Sequence, residues 1–599
     1  MEKEQIKDRI NKLQKAMQEH DIAVYIVPMN DFHGSEYIGD FFKLVRYFSG
    51  FTGSAGTLVV TEKEVYLWTD GRYFLQAQQQ LYETGIVLQK MGEKGVPTVA
   101  EFVKAYFDEK KNSAAAVGFD GRLLSTSFVE KLGGLTIVSD KDLAGDIWDC
   151  DEENQRPVFP AEPVWILQNR FAGQTAAEKL SAIREDMAKE NVDCLLLTSL
   201  DEIAWITNLR GGDIAYNPVF MSNMLIGKEE AFLYCNIAEK DVITYLETTG
   251  IQVCAYDAFY EAVRNIGEKS CVWVDKACVS YMVDHLIPED CKKLEKVSPV
   301  IRRKAVKNTT EVEHIRQAHI RDGVAVTKFI YWLKSQICTG NEMATEISAA
   351  EKLEELRREQ KDYLGESFAP IMAYGENGAV VHYSAQAGTE AELLPENFLL
   401  CDTGGHYLQG TTDITRTIAM GKLTAEQKKH YTAVLQGNLR LANAKFKYGL
   451  TGANLDFLAR EPLYRLGLDF NHGTGHGVGY LLNVHEGPNA FRMRYTEDGV
   501  FEEGMVTSDE PGFYLQGRYG IRLENLIVCV KAEETEYGLF LCFEPLTMVP
   551  FDSDAIDWEM MTEEDKKLLF AYHQKVYDSI ANQLTGEEKK WLAEVTALR

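Results

Sequence analysis

Three histidines lie within one short glycine-rich stretch of the chain. Residues 471–488 read NHGTGHGVGYLLNVHEGP and contain His472, His476 and His485, although the whole 599-residue chain has only 12 histidines. Glycine has no side chain, so the backbone of this stretch can pass close to whatever the imidazoles surround. Imidazole is the usual side chain for metal binding and for proton transfer near neutral pH. The stretch therefore predicts a loop that binds metal, transfers protons, or does both.

Four carboxylates lie in two predicted β-hairpins that flank this stretch in the sequence. Residues 398–418 read FLLCDTGGHYLQGTTDITRTI, which predicts a strand, a turn and a second strand. Residues 505–530 read MVTSDEPGFYLQGRYGIRLENLIVCV, with two glutamates placed symmetrically about Gly517. Carboxylates are rarely buried beside apolar strands unless they are paired or bind a metal. We therefore predict that one site contains Asp402, Asp413, Glu510 and Glu524.

The charges of these side chains match two divalent cations. Four carboxylates carry four negative charges, two divalent cations balance them, and a neutral His476 can complete the donor set. Oxygen-rich donors with one imidazole suit Mn²⁺, with Co²⁺ and Zn²⁺ as alternatives. Two such ions held together by bridging carboxylates form a hydrolytic centre, which activates water and polarises a carbonyl group. The remaining imidazoles are then free to act on a substrate.

Motifs along the whole chain resemble one enzyme family. They include the two hairpins, the histidine stretch and SFAPIMAYGENGAVVHYSA at residues 367–385. Others are SEYIGDF, FSGFTGSAGT and WTDGRYFLQA in the first part, KAVKNTTEVEHIRQAHIRDGVAV in the middle and FEPLTMVP near the end. In this order they resemble the three-domain form of Xaa-Pro aminopeptidase (aminopeptidase P), a family of pita-bread metallopeptidases. The resemblance implies an enzyme that removes an N-terminal residue preceding proline.

The resemblance also implies the metals and their ligands. It implies a manganese-dependent enzyme with two Mn²⁺ ions per subunit. Asp402 is implied to bind one ion, and His476 and Glu510 the other. Asp413 and Glu524 are implied to bridge the two ions.

Further roles are implied for residues around the metals. His382, His472 and His485 would line the substrate site and move protons or stabilise the oxyanion, and His382 and His485 would bind substrate. Arg522 would support the carboxylates. Arg72, in the turn DGRYF, would contact peptide substrate. Because the family is commonly dimeric, a homodimer is expected.

Several residues in and beside the motifs lie outside the predicted donor set. Tyr374, Tyr383 and Phe513 are predicted either to line a proline pocket or to belong to the core. His406 lies in the turn of the first hairpin and is predicted to be a surface residue. Cys401 neighbours Asp402 but points to the other face of its strand, so we predict that it is in the core.

Three domains are predicted. Residues 1–159 begin with a helical pattern followed by the strand IAVYIVP, and a shift of 170 residues aligns this order with a second unit. We interpret this as a duplicated α/β domain, and the resemblance implies that both copies are creatinase-like. The predicted fold class is thus α/β and α+β: creatinase-like domains at 1–159 and 160–307, then a pita-bread catalytic domain at 308–599.

Composition excludes several classes of function. The net charge of −28 opposes binding to nucleic acid through phosphates. No apolar run is long enough to span a membrane, and the charged first residues are not typical of a secretory signal. The 11 cysteines are scattered, as expected of reduced thiols in a cytoplasmic protein.

Two alternatives to an aminopeptidase compete. A prolidase, which cleaves Xaa-Pro dipeptides, shares the fold, but the second N-terminal domain and the motif FEPLTMVP favour the aminopeptidase. A non-catalytic peptide-binding protein of the same fold would typically have lost metal ligands, whereas all five are present here. The apolar stripe near the C-terminus is predicted either to pack on the catalytic domain or to form a subunit interface; it comprises Met561, Leu568, Leu569, Tyr572 and Ile580.

Overall fold

The computed structural model, which describes residues 3–110 and 115–597, divides the chain into two compact units. The first contains the residues up to Ile166 together with Gln174–Val300. The second contains Leu167–Gly173 together with the residues from Ile301 onward. Residues 1–2 and 111–114 of the predicted first domain and residues 598–599 of the predicted catalytic domain lie outside the described residues. The three predicted domain boundaries stay predictions.

The first unit contains two six-stranded sheets with the same topology. Its strands are β1 (Ile22–Pro28), β2 (Thr57–Thr61), β3 (Val65–Thr69), β4 (Ile86–Lys90), β5 (Ala116–Gly118), β6 (Ile137–Val138), β7 (Trp165–Ile166), β8 (Cys194–Leu197), β9 (Leu209–Arg210), β10 (Ser222–Gly227), β11 (Ala231–Cys235), β12 (Ile251–Cys254), β13 (Cys271–Val274) and β14 (Lys292–Glu295). The strand orders are β4-β3-β2-β1-β5-β6 and β12-β11-β10-β8-β13-β14. In each sheet the central strand, β1 or β8, has one antiparallel and one parallel neighbour. The predicted duplication is therefore confirmed.

Helices pack on these sheets through apolar stripes. Helix α1 buries Ile6, Ile10, Leu13 and Met17, the helical spacing expected for one buried face. The helices of the first unit are α1 (Lys3–Glu19), α2 (Leu44–Ser49), α3 (Phe74–Gln80), α4 (Val99–Lys110), α5 (Thr126–Val129), α6 (Leu143–Asp149), α8 (Ala176–Lys189), α9 (Leu200–Thr207), α10 (Lys240–Thr248), α11 (Ala258–Arg264) and α12 (Tyr281–Leu286). Helix α7 (Asn169–Ala172) belongs to the second unit, and α13 (Pro299–Ala305) begins at the end of the first and continues into the second.

The second unit is built on antiparallel sheets. Its strands are β15 (Tyr363–Glu366), β16 (Ile371–Tyr374), β17 (Phe398–Thr403), β18 (Gly405–Tyr407), β19 (Gly410–Thr411), β20 (Ile414–Ala419), β21 (Lys445–Lys447), β22 (Gly475–Gly477), β23 (Glu486–Phe491), β24 (Val506–Asp509), β25 (Gly512–Leu515), β26 (Tyr519–Arg522), β27 (Asn525–Thr535) and β28 (Gly538–Pro545). The six-stranded sheet has the order β21-β28-β27-β24-β22-β23, and two three-stranded sheets have the orders β16-β17-β20 and β15-β18-β19. Both predicted hairpins are confirmed, as β17 pairs with β20 and β25 with β26.

Long helices cover these sheets. They are α14 (Thr309–Trp332), α15 (Glu346–Arg358), α16 (Ala425–Ala442), α17 (Gly452–Tyr464), α18 (Glu563–Ile580) and α19 (Gly586–Thr596). The C-terminal stripe belongs to the core of this unit: Leu569, Tyr572 and Ile580 of α18 are buried in one apolar cluster with strand β26. The stripe therefore packs within the chain, which answers the question that the sequence left open.

Two smaller predictions have opposite outcomes. Cys401 is buried in the core, as predicted. His406 was predicted to be a surface residue, and this is wrong: the side chain is buried. The cause is that the turn of the first hairpin itself forms strands: β18, which carries His406, is the central strand of a small sheet and pairs with β15 on one side and β19 on the other.

All eleven cysteines are free thiols. Among the helices that the structure describes, none has both the length and the apolar character needed to cross a bilayer.

Candidate metal centre

The register of the first hairpin brings two of the predicted carboxylates together. Asp402 lies near the end of β17, directly opposite Thr415 of β20. Asp413 precedes β20 by one residue and shares the face of Thr415, because alternate residues of an extended chain point the same way. Both aspartates therefore lie at one end of the same strand pair.

The register of the second hairpin does the same for the glutamates. The pairing of β24 with β27 and that of β25 with β26 share one register, with a short gap between the two ladders. Glu510 and Glu524 occupy facing positions in this gap. The symmetry about Gly517 thus reflects true strand pairing.

His476 joins the two hairpins. Asp413, His476 and Glu524 each offer a donor atom, and these atoms all lie within 4.8 Å of one another. The Nε2 atom of His476 is 3.5 Å from Asp413 Oδ2 and 3.3 Å from Glu510 Oε1. Strand β22, which carries His476, pairs with β24 of the second hairpin's sheet and holds the ring at this place.

A hydrogen bond to the backbone orients the His476 ring so that Nε2 faces the carboxylates. Its Nδ1 lies 2.9 Å from the carbonyl oxygen of Gly477, which can only accept, so we assign the ring proton to Nδ1. Nε2 then presents a lone pair towards carboxylate oxygens, and a cation between them would bind all of these acceptors. A backbone carbonyl that fixes the tautomer is the usual support of a metal-binding histidine.

In Asp402 and Glu524, one carboxylate oxygen accepts a hydrogen bond from the protein, and the other can bind a ligand. Glu524 Oε2 accepts a hydrogen bond of 2.8 Å from the Thr415 hydroxyl, and Asp402 Oδ2 accepts one from Arg522. The other oxygens, Asp402 Oδ1 and Glu524 Oε1, are buried, and no donor within residues 3–110 and 115–597 reaches them. Buried oxygens of this kind are costly unless something binds them.

The clustered charges need neutralisation. Burial and the neighbouring charges of Asp402 and Glu510 raise the pKa of Asp413 well above its usual value. Burial and the Asp413 charge have the same effect on the pKa of Glu524. Burial also raises the pKa of Glu510 to about 7, although Arg522 opposes the shift. Two divalent cations would allow these carboxylates to ionise together, so the donor set fits a two-metal centre.

Arg522 links the two sides of the centre. Its guanidinium donates to Asp402 and, over 2.8 Å, to the Tyr514 hydroxyl. Its Nε donates over 3.3 Å to the Thr415 hydroxyl, which in turn donates to Glu524. Arg522 thus contacts Asp402 directly and Glu524 through Thr415, and its predicted supporting role stays a prediction.

His472 is bonded through both ring nitrogens. Its Nδ1 lies 2.7 Å from the Gly473 carbonyl oxygen, and its Nε2 lies 2.8 Å from the Tyr514 hydroxyl. The carbonyl must accept from Nδ1, so Nε2 accepts from Tyr514. Burial, assisted by the positive charge of Arg522, lowers the pKa of His472 to about 3. The imidazole is therefore neutral near pH 7, and its predicted part in proton transfer stays a prediction.

A buried arginine of α17 holds the loop of His472. Arg460 donates over 2.7 Å to the carbonyl of Phe470 and over 2.8 Å to that of His472. Its guanidinium pairs with Asp456 one helical turn earlier, and Asp456 also accepts from the Thr474 hydroxyl over 2.6 Å. The loop that precedes β22 is thus anchored at residues just ahead of His476 in the chain.

Two lysines hold the other end of the histidine stretch. The carboxylate of Glu486, the residue after His485, lies 2.5 Å from the Nζ atoms of Lys304 and Lys307. All three charged groups are almost fully buried. Anchored beside this triad, the ring of His485 meets the ring of His476 edge to face, with 4.3 Å between the centroids.

The loop of His382 packs against the second hairpin. His382 is partly buried and follows a 3-10 helix, Gly375–Ala379, whose backbone touches β26 at Gly520. The next residue, Tyr383, packs on the same apolar cluster as Tyr514. These contacts bring the loop to the hairpin that carries Arg522.

The close approach of β26 to this loop gives a stability prediction. We expect Gly520→Ala to lower the free energy of unfolding by about 1–3 kcal/mol, the usual cost of overpacking. A Cβ atom at Gly520 would lie 1.7 Å from the carbonyl oxygen of Gly378, so the backbone must shift. Denaturant unfolding followed by circular dichroism measures the change. Gly586→Ala is the control, because nothing lies within 4 Å of the Cβ position at Gly586. A Gly520→Ala variant as stable as the wild type would contradict the prediction.

Arg72 lies in the first unit and is already paired. Its Nε and Nη2 atoms donate to the two oxygens of Asp70 over 2.8 and 2.7 Å. Arg122 binds Asp120 through the same two nitrogens in a second Asp-Gly-Arg turn. The pairing is therefore a property of this turn, and the substrate contact of Arg72 stays a prediction.

Sequence reasoning missed the side chains that connect the centre. Tyr514 joins Arg522 to His472, whereas the neighbouring Phe513, a candidate for a proline pocket, is buried in the core beside His430. Thr415 joins Arg522 to Glu524. The alternation of strand residues was the available signal, because Tyr514 shares the parity of Glu510, and Thr415 that of Asp413.

Comparison with known proteins assigns domains along most of the chain. The family model of metallopeptidase family M24 matches residues 313–531, and that of the C-terminal region of peptidase M24 matches residues 539–598. The creatinase/prolidase N-terminal domain matches twice, at residues 9–151 and 155–311. These matches agree with the predicted fold class, including the duplicated creatinase-like domain.

Full-length relatives carry the same arrangement. The chain is 38% identical over 617 residues to the probable Xaa-Pro aminopeptidase P of Sordaria macrospora, with 98% of this chain and 99% of the relative covered. A crystal structure of X-prolyl aminopeptidase from Caenorhabditis elegans, described as a cytosolic enzyme with a di-nuclear active site, has a TM-score of 0.92 and 32% identity, covering 99% of both chains. The prolidase from Pyrococcus horikoshii has a TM-score of 0.50 and 25% identity, covering 62% of this chain and 99% of the prolidase. The chain therefore belongs to metallopeptidase family M24, with two creatinase/prolidase N-terminal domains preceding its catalytic domain.

Proposed function

We propose that this chain is an Xaa-Pro aminopeptidase that hydrolyses the bond between an N-terminal residue and a proline in second position. The observation that carries the proposal is the cluster of Asp413, His476 and Glu524, whose donor atoms lie within 4.8 Å of one another beside Asp402 and Glu510. The full-length similarity to Xaa-Pro aminopeptidases supports the choice of substrate.

Two metal ions would be held by five residues. We propose that Asp402 binds one ion, that His476 and Glu510 bind the other, and that Asp413 and Glu524 bind both. When bound, such ions supply Lewis-acid activation of water and of the scissile carbonyl group. Mn²⁺ is the proposed metal, because oxygen-rich donors with one imidazole suit it, and Co²⁺ or Zn²⁺ would also fit.

The chain's own residues handle orientation and protons. Arg522 keeps the Asp402 carboxylate in place, and Lys304 and Lys307 keep the loop of His485 in place. The nitrogen that departs in amide hydrolysis must receive a proton, and in a bond to proline this nitrogen belongs to a tertiary amide without an N–H group. We propose His382 and His485 as the groups that bind the substrate and move this proton, since histidine titrates near neutral pH.

Hydrolysis of matched peptides tests the proposal. The protein is stripped with EDTA, reloaded with Mn²⁺ and given Arg-Pro-Pro, Arg-Ala-Pro and Gly-Pro. We expect release of arginine from Arg-Pro-Pro, with little cleavage of the other two. Arg-Ala-Pro differs only in the second residue, so its cleavage at a similar rate would contradict specificity for proline.

The same experiment separates the alternatives. Cleavage of Gly-Pro alone would make the chain a prolidase, a class that shares the catalytic part of this fold. No cleavage of any peptide, with no metal bound, would favour a non-catalytic peptide-binding protein.

We further propose a homodimer in the cytoplasm. Eleven free thiols suit a reducing compartment. Sedimentation equilibrium of the full chain tests the dimer, and cell fractionation tests the location.

Arg72 has a separate prediction. We expect Arg72→Ala to raise KM for peptides longer than three residues and to leave the metal content unchanged, because its guanidinium would contact the peptide and not the metals. Steady-state kinetics on a length series of Xaa-Pro peptides measures this effect. Arg46→Ala is a suitable control, because Arg46 is an exposed arginine of the same unit. An unchanged KM for every length would remove Arg72 from the substrate site.

A further inference from the structure

A buried carboxylate outside the metal centre binds four donors of one loop. Glu346, the first residue of α15, has no exposed surface. Its Oε1 accepts from the Tyr374 backbone N–H over 2.8 Å and from the Asn377 side-chain amide over 2.9 Å. Its Oε2 accepts from the Tyr383 hydroxyl over 2.8 Å and from the Ala391 backbone N–H over 2.9 Å. Hydrogen bonds to an ionised acceptor are about twice as strong as neutral ones.

These four donors enclose His382. Two precede it in the chain and two follow it, so one side chain fixes the loop at both ends. The loop has little regular structure: a 3-10 helix at Gly375–Ala379 is followed by turns up to the isolated bridge of Thr345 with Glu392. Without Glu346, the loop would lose the four hydrogen bonds that tie both of its ends to one side chain.

The far side of the loop faces the active-site hairpin. The Cβ position of Gly378 is 2.9 Å from the backbone nitrogen of Gly520, two residues before Arg522. Tyr383 and Tyr514 pack on one apolar cluster. A shift of the loop relative to Glu346 would therefore move His382 relative to the hairpin.

We propose that Glu346 is a positioning residue that acts through His382. The inference rests on the proposed function, because His382 is assigned there to the substrate site. Only a carboxylate offers two acceptor oxygens to two pairs of donors. Glutamine has the same shape, but its NH₂ group would meet two donors and separate them from the side chain.

A double-mutant cycle tests this coupling. We expect Glu346→Gln to lower kcat for Arg-Pro-Pro by about 10²-fold, the scale reported for a misplaced catalytic group. Metal content should equal that of the wild type. In a His382→Ala background, the same substitution should change kcat by less than about twofold, because the residue through which it acts is already gone.

Two further variants provide a second test and a control. Tyr383→Phe removes one of the four donors and should give a smaller loss, which also disappears in the His382→Ala background. Glu351→Gln is the control, because Glu351 is an exposed glutamate of the same helix, and it should leave kcat unchanged. If Glu346→Gln does not fold, Tyr383→Phe decides the question.

Hydrogen exchange gives a readout that does not depend on activity. The amides of Tyr374 and Ala391 donate to Glu346, so they should exchange faster in Glu346→Gln while the amides of β17 do not. A wild-type chain without peptidase activity would overturn the proposed function but leave this measurement intact. An equal loss of kcat in both backgrounds, or wild-type kcat in Glu346→Gln, would overturn the inference.

Discussion

Asp413→Asn is expected to lose bound metal and to reduce hydrolysis of Arg-Pro-Pro to the level of the metal-stripped protein. Asp413 is fully buried between His476 and Glu524, and an amide supplies neither its negative charge nor two acceptor oxygens. Glu524→Gln should behave in the same way, because both residues are proposed to bind both ions. Elemental analysis by mass spectrometry, paired with kcat on the same sample, measures the two effects.

Controls separate this loss from misfolding. Asp498→Asn changes an exposed aspartate of the same unit and should keep both metal and activity. Without metal, Asp413→Asn should melt no lower than the metal-free wild type, because the substitution replaces a buried carboxyl group whose ionisation its surroundings oppose with a neutral amide. Full metal content with activity within about tenfold of the wild type would exclude a bridging role, since such activity needs an intact metal centre.

His485→Ala is expected to keep both metals and to lose about 10²–10⁴-fold in kcat, the usual contribution of a positioned proton-transfer group. The ring of His485 touches that of His476 but lies outside the cluster of donor atoms around Asp413. Its removal should therefore leave the carboxylates in place. Kinetics and elemental analysis of one preparation provide both quantities.

The metal content decides how the result is interpreted. Loss of metal in His485→Ala would reassign the residue to the ligands of the centre. His20→Ala removes an exposed histidine of the first unit and should change neither value. Retained metal with wild-type kcat would show that another group protonates the leaving nitrogen.

Much of the fold was predictable from local pattern. The helical spacing of Ile6, Ile10, Leu13 and Met17 gave the first helix, and alternation around glycine turns gave both hairpins. These signals work because burial imposes the period of the element on the sequence. The position of His406 was predicted wrongly because a short turn and a pair of short strands have similar sequence patterns. The strand β15, which pairs with β18, lies some 40 residues earlier, so the local sequence does not reveal it.

The clustering of the carboxylates with His476 was predictable, but the residues that support them were not. Asp402 and His476 stand in dense motifs, whereas Lys304 is 182 residues from Glu486 in the chain. Lys304 and Lys307 are spaced as neighbours on one helical turn, which by itself indicates an ordinary solvated face. Glu346 likewise resembles any acidic residue at a helix N-terminus. The partners of these charged side chains are far away in the sequence, so only the tertiary fold shows what Lys304, Lys307 and Glu346 bind.

The ion pairs of Glu486 with Lys304 and Lys307 also determine whether the catalytic domain can be stable when it is produced as one continuous segment of the chain. A chain that begins at residue 308 lacks both lysines and leaves the Glu486 carboxylate buried and unpaired, at a cost of about 3–5 kcal/mol. It also lacks the short segment around α7, where the Phe171 carbonyl accepts from Tyr480 over 2.9 Å and the Ala172 carbonyl accepts from Asn308 over 2.8 Å. A gene fusion or shortened form that keeps these contacts must therefore include residues from both sides of position 308.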